Sequence, residues 1–225
     1  MATNSSNPII NWNNIDTVLL DMDGTILDLS FDNFFWLEYL PQVYAKNNSL
    51  SLKQSKKFLA DSYGTIEGKL QWYCLDFWSE RLSLDIAELK KGVGDRVAFR
   101  PHAIKFLEFL VQQNKDVYLV TNAHRKSLEV KMLNVKFHHY FNDLSCSHDF
   151  GYPKEEQEYW RLLQGKYRFN KERTLFVDDS LAILKSAQDF GIEYCLGITQ
   201  PDMKRDKIDC SPFEAIDDFE QFISD

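Results

Sequence analysis

The chain has 225 residues, 44% of them apolar, and a formal net charge of −8. This length suits one globular domain, or a core domain with an insert, and the apolar fraction can fill a sizeable core, which argues against a disordered protein. Because an acidic protein offers no broad basic surface to a nucleic-acid backbone, we expect no nucleic-acid partner.

The four cysteines, Cys74, Cys146, Cys195 and Cys210, lie far apart in sequence and form no CxxC pair. Their spacing predicts neither a zinc site nor a disulfide framework and is typical of a reducing compartment. The first ten residues lack the basic start and apolar stretch of a secretory signal, and no apolar run reaches membrane-spanning length. We therefore expect a cytoplasmic protein with no membrane partner. Residues 1 to about 14 are polar, and we expect them to form a loose stretch.

The apolar run from Thr17 to Leu20 predicts the first strand, and its lack of alternation is typical of a parallel sheet buried on both faces. From about residue 29 to residue 99 the pattern is helical, with predicted helices at 31–46, 51–62 and 65–82 and a return linker at 91–94. We therefore predict a helical insert at 29–99, called the cap below, within a core made of residues 1–28 and 100–225.

Strands and helices alternate in the rest of the chain. A helix is expected to open at Pro101, and others at 124–134, from near 154 and at 181–190. Strands are expected at 116–120, near 143–147, at 174–177 and at about 193–197. This alternation predicts an α/β fold with a doubly wound parallel sheet.

Three polar clusters directly follow predicted strands: DMDGT at 21–25, TNAH at 121–124 and DDS at 178–180. Ligands of open parallel sheets bind beyond the carboxyl ends of the strands, so the sheet should gather these clusters at one edge. Two adjacent acids at the end of a buried strand are costly unless a cation or hydrogen bonds compensate their charges. Asp178 and Asp179 therefore favour a site for a cation such as Mg²⁺, which prefers oxygen ligands, and the alternative is that one of them caps the helix at 181–190.

These motifs resemble the four signatures of the haloacid dehalogenase (HAD) superfamily. DMDGT is similar to the DxDGT signature, and Thr121-Asn122, Lys154 and Asp178-Asp179 are similar to the second, third and fourth, in that order. The predicted cap lies where this superfamily carries one. The resemblance covers the chain after residue 14 and implies hydrolysis of a phosphate monoester with Mg²⁺.

The resemblance also implies roles for single residues. Asp21 is the expected nucleophile, which forms an aspartyl-phosphate, and Asp23 the general acid and base, whose backbone carbonyl also binds metal. Asp21, Asp23, Asp178 and Asp179 are the expected metal residues, with Asp179 as direct ligand and Asp178 mostly supporting it. Many members carry a further acid where this chain has the apolar Ile183.

Thr121 and Asn122 are expected to bind the substrate phosphate through the Thr121 hydroxyl and backbone N–H groups. Lys154 is expected to bind it through its positive charge and also to favour the ionised form of Asp21. The basic run at 124–126 has two interpretations, a position near the phosphate or the nucleotide and a solvated helix start, of which we favour the second. The pair at 138–139 is interpreted as surface or core histidines. Six cap aromatics should mainly build the cap core, with one or two of them touching substrate: Trp36, Tyr39, Trp72, Tyr73, Phe77 and Trp78.

Longer segments of the sequence resemble one group of enzymes within this superfamily. WYCLDFWSE (72–80), TNAHRKSL (121–128), FGYPKEEQ (150–157) and RTLFVDDSLAIL (173–184) are similar to bacterial purine 5′-nucleotidases that act on GMP and IMP. A small phosphorylated substrate is thus the expected partner. The alternatives are a sugar-phosphate phosphatase or a phosphoglucomutase-like enzyme of the same fold, and a non-catalytic binding protein on this fold. The sequence does not fix the oligomeric state.

Overall fold

The computed structural model describes residues 10–223. The expectations for residues 1–9, a loose start without a signal sequence, lie outside the described residues. Within the described part, Trp12–Asn14 forms a 3₁₀ turn that leads into the first strand.

A six-stranded parallel sheet forms the centre of the molecule, in the order β3-β2-β1-β4-β5-β6. The strands are β1 (Thr17–Leu20), β2 (Asp116–Thr121), β3 (Asp143–Cys146), β4 (Thr174–Asp178), β5 (Tyr194–Ile198) and β6 (Ala215–Ile216). Leu20, the last residue of β1, pairs with Leu119 on one side and Val177 on the other. The residues that follow β1, β2 and β4 therefore emerge side by side, where the strand order reverses.

Helices cover both faces of the sheet, which explains why its central strands are apolar throughout. The helices of the core are α7 (Ala103–Gln112), α8 (Arg125–Asn134), α9 (Gln157–Tyr167), α10 (Leu181–Phe190) and α11 (Glu220–Ile223). Successive residues of β1 alternate between the two faces. Val18 and Leu20 pack in a cluster with α7, and Leu19 packs in a second cluster with α9 and α10.

The segment between β1 and α7 is helical and has an apolar cluster of its own. Its elements are α1 (Ser30–Phe34), a π-helical turn (Phe35–Tyr39), α2 (Leu40–Asn47), α3 (Leu52–Gly64), α4 (Leu70–Tyr73), α5 (Leu75–Leu82) and α6 (Ile86–Lys91). The cluster consists of Phe35, Leu40, Leu59, Leu75, Trp78, Leu82 and Ile86. An α/β fold with an inserted helical segment, as predicted, is confirmed.

The two ends of this helical segment lie next to each other. Leu27 and Phe99 form an antiparallel bridge, and two hydrogen bonds flank it: Asp28 N donates to Ala98 O at 2.9 Å, and Arg100 N donates to Ile26 O at 3.0 Å. The segment thus joins the rest of the chain at one place. The boundaries predicted at 28/29 and 99/100 stay a prediction of where two domains meet.

The expectation of one helix over 65–82 is wrong. Gly68 has a φ of +76°, and the backbone is extended at Lys69 and again at Cys74, so α4 and α5 are separate helices. Cys74 caps α5 by accepting a hydrogen bond from Phe77 N. Periodic apolar residues continue across both breaks, and for this reason the pattern alone suggested one helix.

Some smaller elements differ from the sequence-based expectation. The helix expected from near residue 154 begins at Gln157. Lys154 lies in the turn before it, where its side chain bonds to Asp21. The short elements α6, β6 and α11 were not predicted. The two residues of β6 and the four of α11 are too few to show a period.

Candidate active site

The loop after β1 is tightly folded around Gly24. Asp21 N donates to Val177 O at 3.0 Å, which continues the β1–β4 pairing by one residue, and Leu27 N returns to Met22 O at 2.8 Å. Gly24 has a φ of +80°, and a Cβ at this position would stand 2.4 Å from an Asp179 carboxylate oxygen. Only glycine fits both constraints, so this glycine lets the loop turn while Asp179 packs against it.

Lys154 lies at the centre of the site and is completely buried. Its Nζ donates to Asp21 Oδ1 at 2.5 Å, to Asp178 Oδ2 at 2.6 Å and to Val120 O at 3.1 Å. Burial opposes the charge on Lys154, but the carboxylates of Asp178 and Asp21 outweigh it and raise the lysine pKa. Burial raises the pKa of Asp21 to about 6, although Lys154 acts in the opposite direction. At neutral pH Asp21 is therefore mostly ionised.

The two acids after β4 have different surroundings. Asp178 is buried, and its carboxylate accepts hydrogen bonds from Lys154 and, at 2.8 Å, from Ser180 N. Asp179 is half-buried and forms no ion pair within residues 10–223. Burial and the charges of Asp178 and Asp21 raise the pKa of Asp179 well above its ordinary value. A surplus of carboxylate charge with one lysine between two of the acids fits a hard divalent cation beside Asp179 and Asp21.

Asp23 belongs to a buried network of two acids and two lysines. Lys131 Nζ donates to Asp23 Oδ1 at 2.5 Å and to Asp32 Oδ2 at 2.7 Å. Lys90 Nζ donates to Asp32 Oδ1 at 2.6 Å and to Ser127 Oγ at 3.2 Å. Both lysine side chains are almost fully buried, so the network connects the inserted helices, through Asp32 and Lys90, to the loop after β1.

Sequence reasoning missed Lys131, Lys90 and Asp32. Burial raises the pKa of Asp23 to about 6, although Lys131 acts in the opposite direction. A carboxyl group with a pKa near neutrality is suited to both giving and taking a proton. For Lys131 the sequence did contain a sign of a buried partner. Lys131 follows Leu128 by three residues and so lies on the apolar stripe of α8, where an unpaired lysine would be costly.

The predicted phosphate-binding residues after β2, Thr121 and Asn122, lie beside Lys154, and the Asn122 side chain bonds to the turn that carries Lys154. Its Oδ1 accepts from Lys154 N at 2.9 Å, and its Nδ2 donates to Glu155 Oε2 at 2.9 Å. Thr121 Oγ1 accepts from Ala123 N at 3.0 Å and keeps its hydroxyl proton for another partner. The Asn122 side chain thus holds the turn that positions Lys154.

The inserted helices contact the sheet edge directly. Tyr73 Oη donates to Glu155 Oε1 at 2.6 Å, and Lys126 Nζ donates to Asp76 Oδ1 at 2.5 Å. For Lys126 the expected solvated helix start holds, since its side chain is half-exposed. The expectation is wrong for His124, which is largely buried and lines the cavity, because the segment carrying Asp76 covers it. His138 and His139 lie exposed on a 3₁₀ turn away from the site.

A cavity of about 530 Å³ lies between the sheet edge and the inserted helices. All predicted site residues line it: Asp21, Asp23, Thr121, Asn122, Lys154, Asp178 and Asp179. Ile183 lines it too. Of the six predicted aromatics, the cavity wall contains Trp36, Trp72, Tyr73 and Trp78, and Tyr63 joins them. Tyr39 and Phe77 are absent from the wall, and Trp78 is almost fully buried beneath it.

A model of the haloacid dehalogenase-like hydrolase family matches residues 15–191. The chain belongs to this family. It is 44% identical over 193 residues to the GMP/IMP nucleotidase YrfG of Escherichia coli, a match that covers 86% of this chain and 87% of that protein. These findings confirm the predicted family and the predicted enzyme class.

Solved structures confirm the fold. A HAD phosphatase from Thermococcus onnurineus superposes with a TM-score of 0.76 at 18% identity, over 92% of this chain and 95% of that one. The HAD hydrolase YfnB from Bacillus subtilis, solved with magnesium bound and described as showing interdomain movement, has a TM-score of 0.63 at 22% identity, over 92% and 96% of the two chains. None of the helices within residues 10–223 is long and apolar enough to span a membrane.

Proposed function

We propose that the chain is a magnesium-dependent phosphomonoester hydrolase that acts through an aspartyl-phosphate on Asp21, with a purine nucleoside 5′-monophosphate as substrate. The observation that carries the proposal is the group formed by Asp21, Lys154 and Asp23. Burial raises the pKa of both Asp21 and Asp23 to about 6, and both carboxyl groups face one cavity together with Lys154, which bonds directly to Asp21.

The residues divide the reaction into two displacements. The Asp21 carboxylate attacks phosphorus, the bond to the ester oxygen breaks, and Asp23 gives its proton to that oxygen. Asp23 then takes a proton from a water molecule, which attacks the same phosphorus, and inorganic phosphate leaves as Asp21 is restored. Lys154 and the Thr121 hydroxyl stabilise the charge on the phosphate oxygens.

Magnesium is the proposed cofactor. The residues that would hold it are Asp21, the backbone carbonyl of Asp23, and Asp179, which has no lysine partner of its own, with Asp178 orienting Asp179 through the loop. A bound magnesium ion would act as a Lewis acid on the phosphate and would offset the charge of the clustered acids.

We also propose that residues 29–99 form a cap that closes over the site and excludes bulk water. Their separate apolar cluster and the adjacent connections at Leu27 and Phe99 support this division. The half-buried aromatic wall of the cap supports a purine substrate, and Trp36 and Trp72, which line the cavity, are the proposed stacking partners of the base. The identity to a GMP/IMP nucleotidase supports the same substrate class. The cytoplasmic location stays a prediction.

The test is phosphate release from a panel of esters with magnesium present: GMP, IMP, AMP, CMP, UMP, glucose 6-phosphate and p-nitrophenyl phosphate. We expect kcat/KM for GMP and IMP to exceed that for the pyrimidine and sugar esters by at least about ten-fold, which corresponds to about 1.4 kcal/mol. A sugar phosphate that is hydrolysed fastest would replace the nucleotide assignment with the sugar-phosphate alternative. A properly folded protein that releases phosphate from none of these esters would contradict the proposed activity.

A further inference from the structure

Three side chains that commonly bind transition metals meet where the inserted helices touch the sheet edge. Cys74 lies between α4 and α5, His124 follows β2, and His148 lies in the turn after β3. One ligand atom from each lies within 4.8 Å of the other two. The imidazole rings of His124 and His148 stand 4.8 Å apart at 87°. The spacing of the cysteines in sequence gave no hint of this group, because its members come from three separate loops.

Three ring nitrogens of these two partly buried histidines lack a hydrogen-bond partner among the described residues. Both ring nitrogens of His148 and Nδ1 of His124 are shielded from solvent and bond to none of the described residues. His124 Nε2 is 3.9 Å from Asp76 Oδ2, beyond hydrogen-bond distance. A buried polar atom without a partner destabilises the fold, so three of them in one place indicate a missing ligand.

Burial favours the neutral form of both imidazoles, which is the form that binds metals. Burial and the neighbouring His124 lower the pKa of His148 to about 4, so this imidazole is neutral at physiological pH, as a metal ligand must be. The sulfur of Cys74 accepts one weak hydrogen bond, from Phe77 N at 3.5 Å, and has room for a further partner. One thiolate and two imidazoles form a ligand set that selects zinc-like ions over magnesium or calcium.

The three ligand atoms lie slightly farther apart than in a site that already holds a zinc ion. Zinc–sulfur and zinc–nitrogen bonds of about 2.3 and 2.1 Å place tetrahedral ligand atoms about 3.3–3.7 Å from one another. The observed 4.8 Å exceeds this by an amount that rotation of the three side chains can remove. Three protein ligands leave one position of a tetrahedral ion open.

We propose that Cys74, His124 and His148 form a binding site for a zinc-like divalent cation, distinct from the acid cluster, and that the bound ion fastens the inserted helices to the core. Cys74 belongs to the insert, while both histidines belong to the core. The ion would therefore resist any opening of the cap, and turnover that depends on opening would slow. The inhibitory part rests on the proposed function, whereas the binding part does not.

Cobalt provides a readout that is independent of activity. The metal-free full-length chain is titrated with Co²⁺, and a thiolate-to-cobalt charge-transfer band together with tetrahedral d–d bands is expected in the wild type. Zn²⁺ should displace the cobalt with a stoichiometry of one. Cys74→Ser should abolish the charge-transfer band. Cys74→Ser and His148→Gln should each weaken zinc binding by at least about 100-fold, which is the upper limit of the effect seen when only a residue hydrogen-bonded to a metal ligand is removed.

Matched controls remove a residue of the same type elsewhere. Cys195→Ser on β5 and His139→Gln on an exposed turn should leave the cobalt spectrum and the zinc affinity unchanged. Circular dichroism and thermal melting establish whether each variant is folded. If His148→Gln is unfolded, the result for Cys74→Ser alone decides whether the site exists. A wild type without a charge-transfer band, or equal zinc affinity in wild type and Cys74→Ser, would overturn the site.

The fastening is tested by phosphate release from p-nitrophenyl phosphate at saturating magnesium. Zinc should slow the wild type and Cys195→Ser several-fold and should leave Cys74→Ser much less affected. Zinc that competes at the acid cluster instead would inhibit all three proteins equally. That outcome would overturn the proposed fastening of the cap.

Discussion

Replacing Lys131 with methionine tests the buried network around Asp23. The side chains are similar in length, so the main change is the loss of one charge that contacts Asp23 and, at 2.7 Å, Asp32. Breaking a buried ion pair costs about 3–5 kcal/mol. Because the side chains of Asp23 and Asp32 keep 20% and 15% of their surface exposed, we expect the lower end, about 3 kcal/mol. For a chain of this size that corresponds to a melting temperature about 6–12 °C lower.

The loss of stability should depend on pH in a definite direction. Burial already raises the pKa of Asp23 to about 6, and removal of Lys131 raises it further. A protonated Asp23 needs no cation, so the part of the deficit that comes from Asp23 should be absent below pH 6 and should grow as the pH rises above it. The part that comes from Asp32 should persist below pH 6, because, against the effect of burial, Lys131 and Lys90 hold the pKa of Asp32 below its ordinary value. Because removal of Lys131 raises the pKa of Asp23, the high-pH limb of the kcat/KM profile, which reports a protonated Asp23, should move to higher pH.

The assay is thermal unfolding followed by tryptophan fluorescence at several pH values, together with hydrolysis of p-nitrophenyl phosphate. Lys136→Met, which removes an exposed lysine from the following turn, is the matched control and should change stability by less than about 0.5 kcal/mol. The double variant Lys131→Met with Asp32→Asn should be less destabilised than the two single changes added together. Losses equal to the control, or strict additivity, would refute the network.

Three further predictions concern the site. Asp21→Asn should retain the fold and lose turnover, since an amide cannot form the acyl phosphate; near-normal kcat with magnesium would contradict this. Chelation should stop phosphate release, and magnesium should restore it much better than calcium, which prefers more ligands; full activity in excess chelator would exclude the metal. Trp36→Ala should lower the kcat/KM for GMP relative to that for p-nitrophenyl phosphate, because about 1–3 kcal/mol of stacking on the base is lost. Tyr39→Ala is the control, since Tyr39 lies outside the cavity wall, and it should leave this ratio unchanged. Equal ratios in both folded variants would leave the aromatic wall without a substrate role.

The core of the fold and the position of the site could be predicted because they depend on local patterns. Short runs that are mainly apolar, such as 17–20 and 174–177, are buried on both faces, so their composition alone indicates strands. Parallel strands end at one edge, and this rule brings Asp21, Thr121 and Asp178 together without knowledge of any contact.

The partners of these residues could not be predicted in the same way. Lys131 and Asp23 are 108 positions apart in sequence, and Lys90 and Asp32 are 58 apart, so no short motif contains either pair. Asn122 follows the family motif, but its side chain is bound to the Lys154 turn by tertiary contacts that the motif does not encode. The break at Cys74 depends on a cap formed by that residue's own sulfur, which the apolar pattern does not show.

The central claim is that phosphate passes through Asp21. The most direct measurement is acid quenching of the enzyme during turnover of GMP carrying a radiolabelled phosphate, followed by isolation of the protein and peptide mapping. The account predicts label on the peptide that contains Asp21, released by hydroxylamine as expected for an acyl phosphate, and none on Asp21→Asn. Steady turnover with no label on the wild-type protein, or label on a different residue, would contradict it.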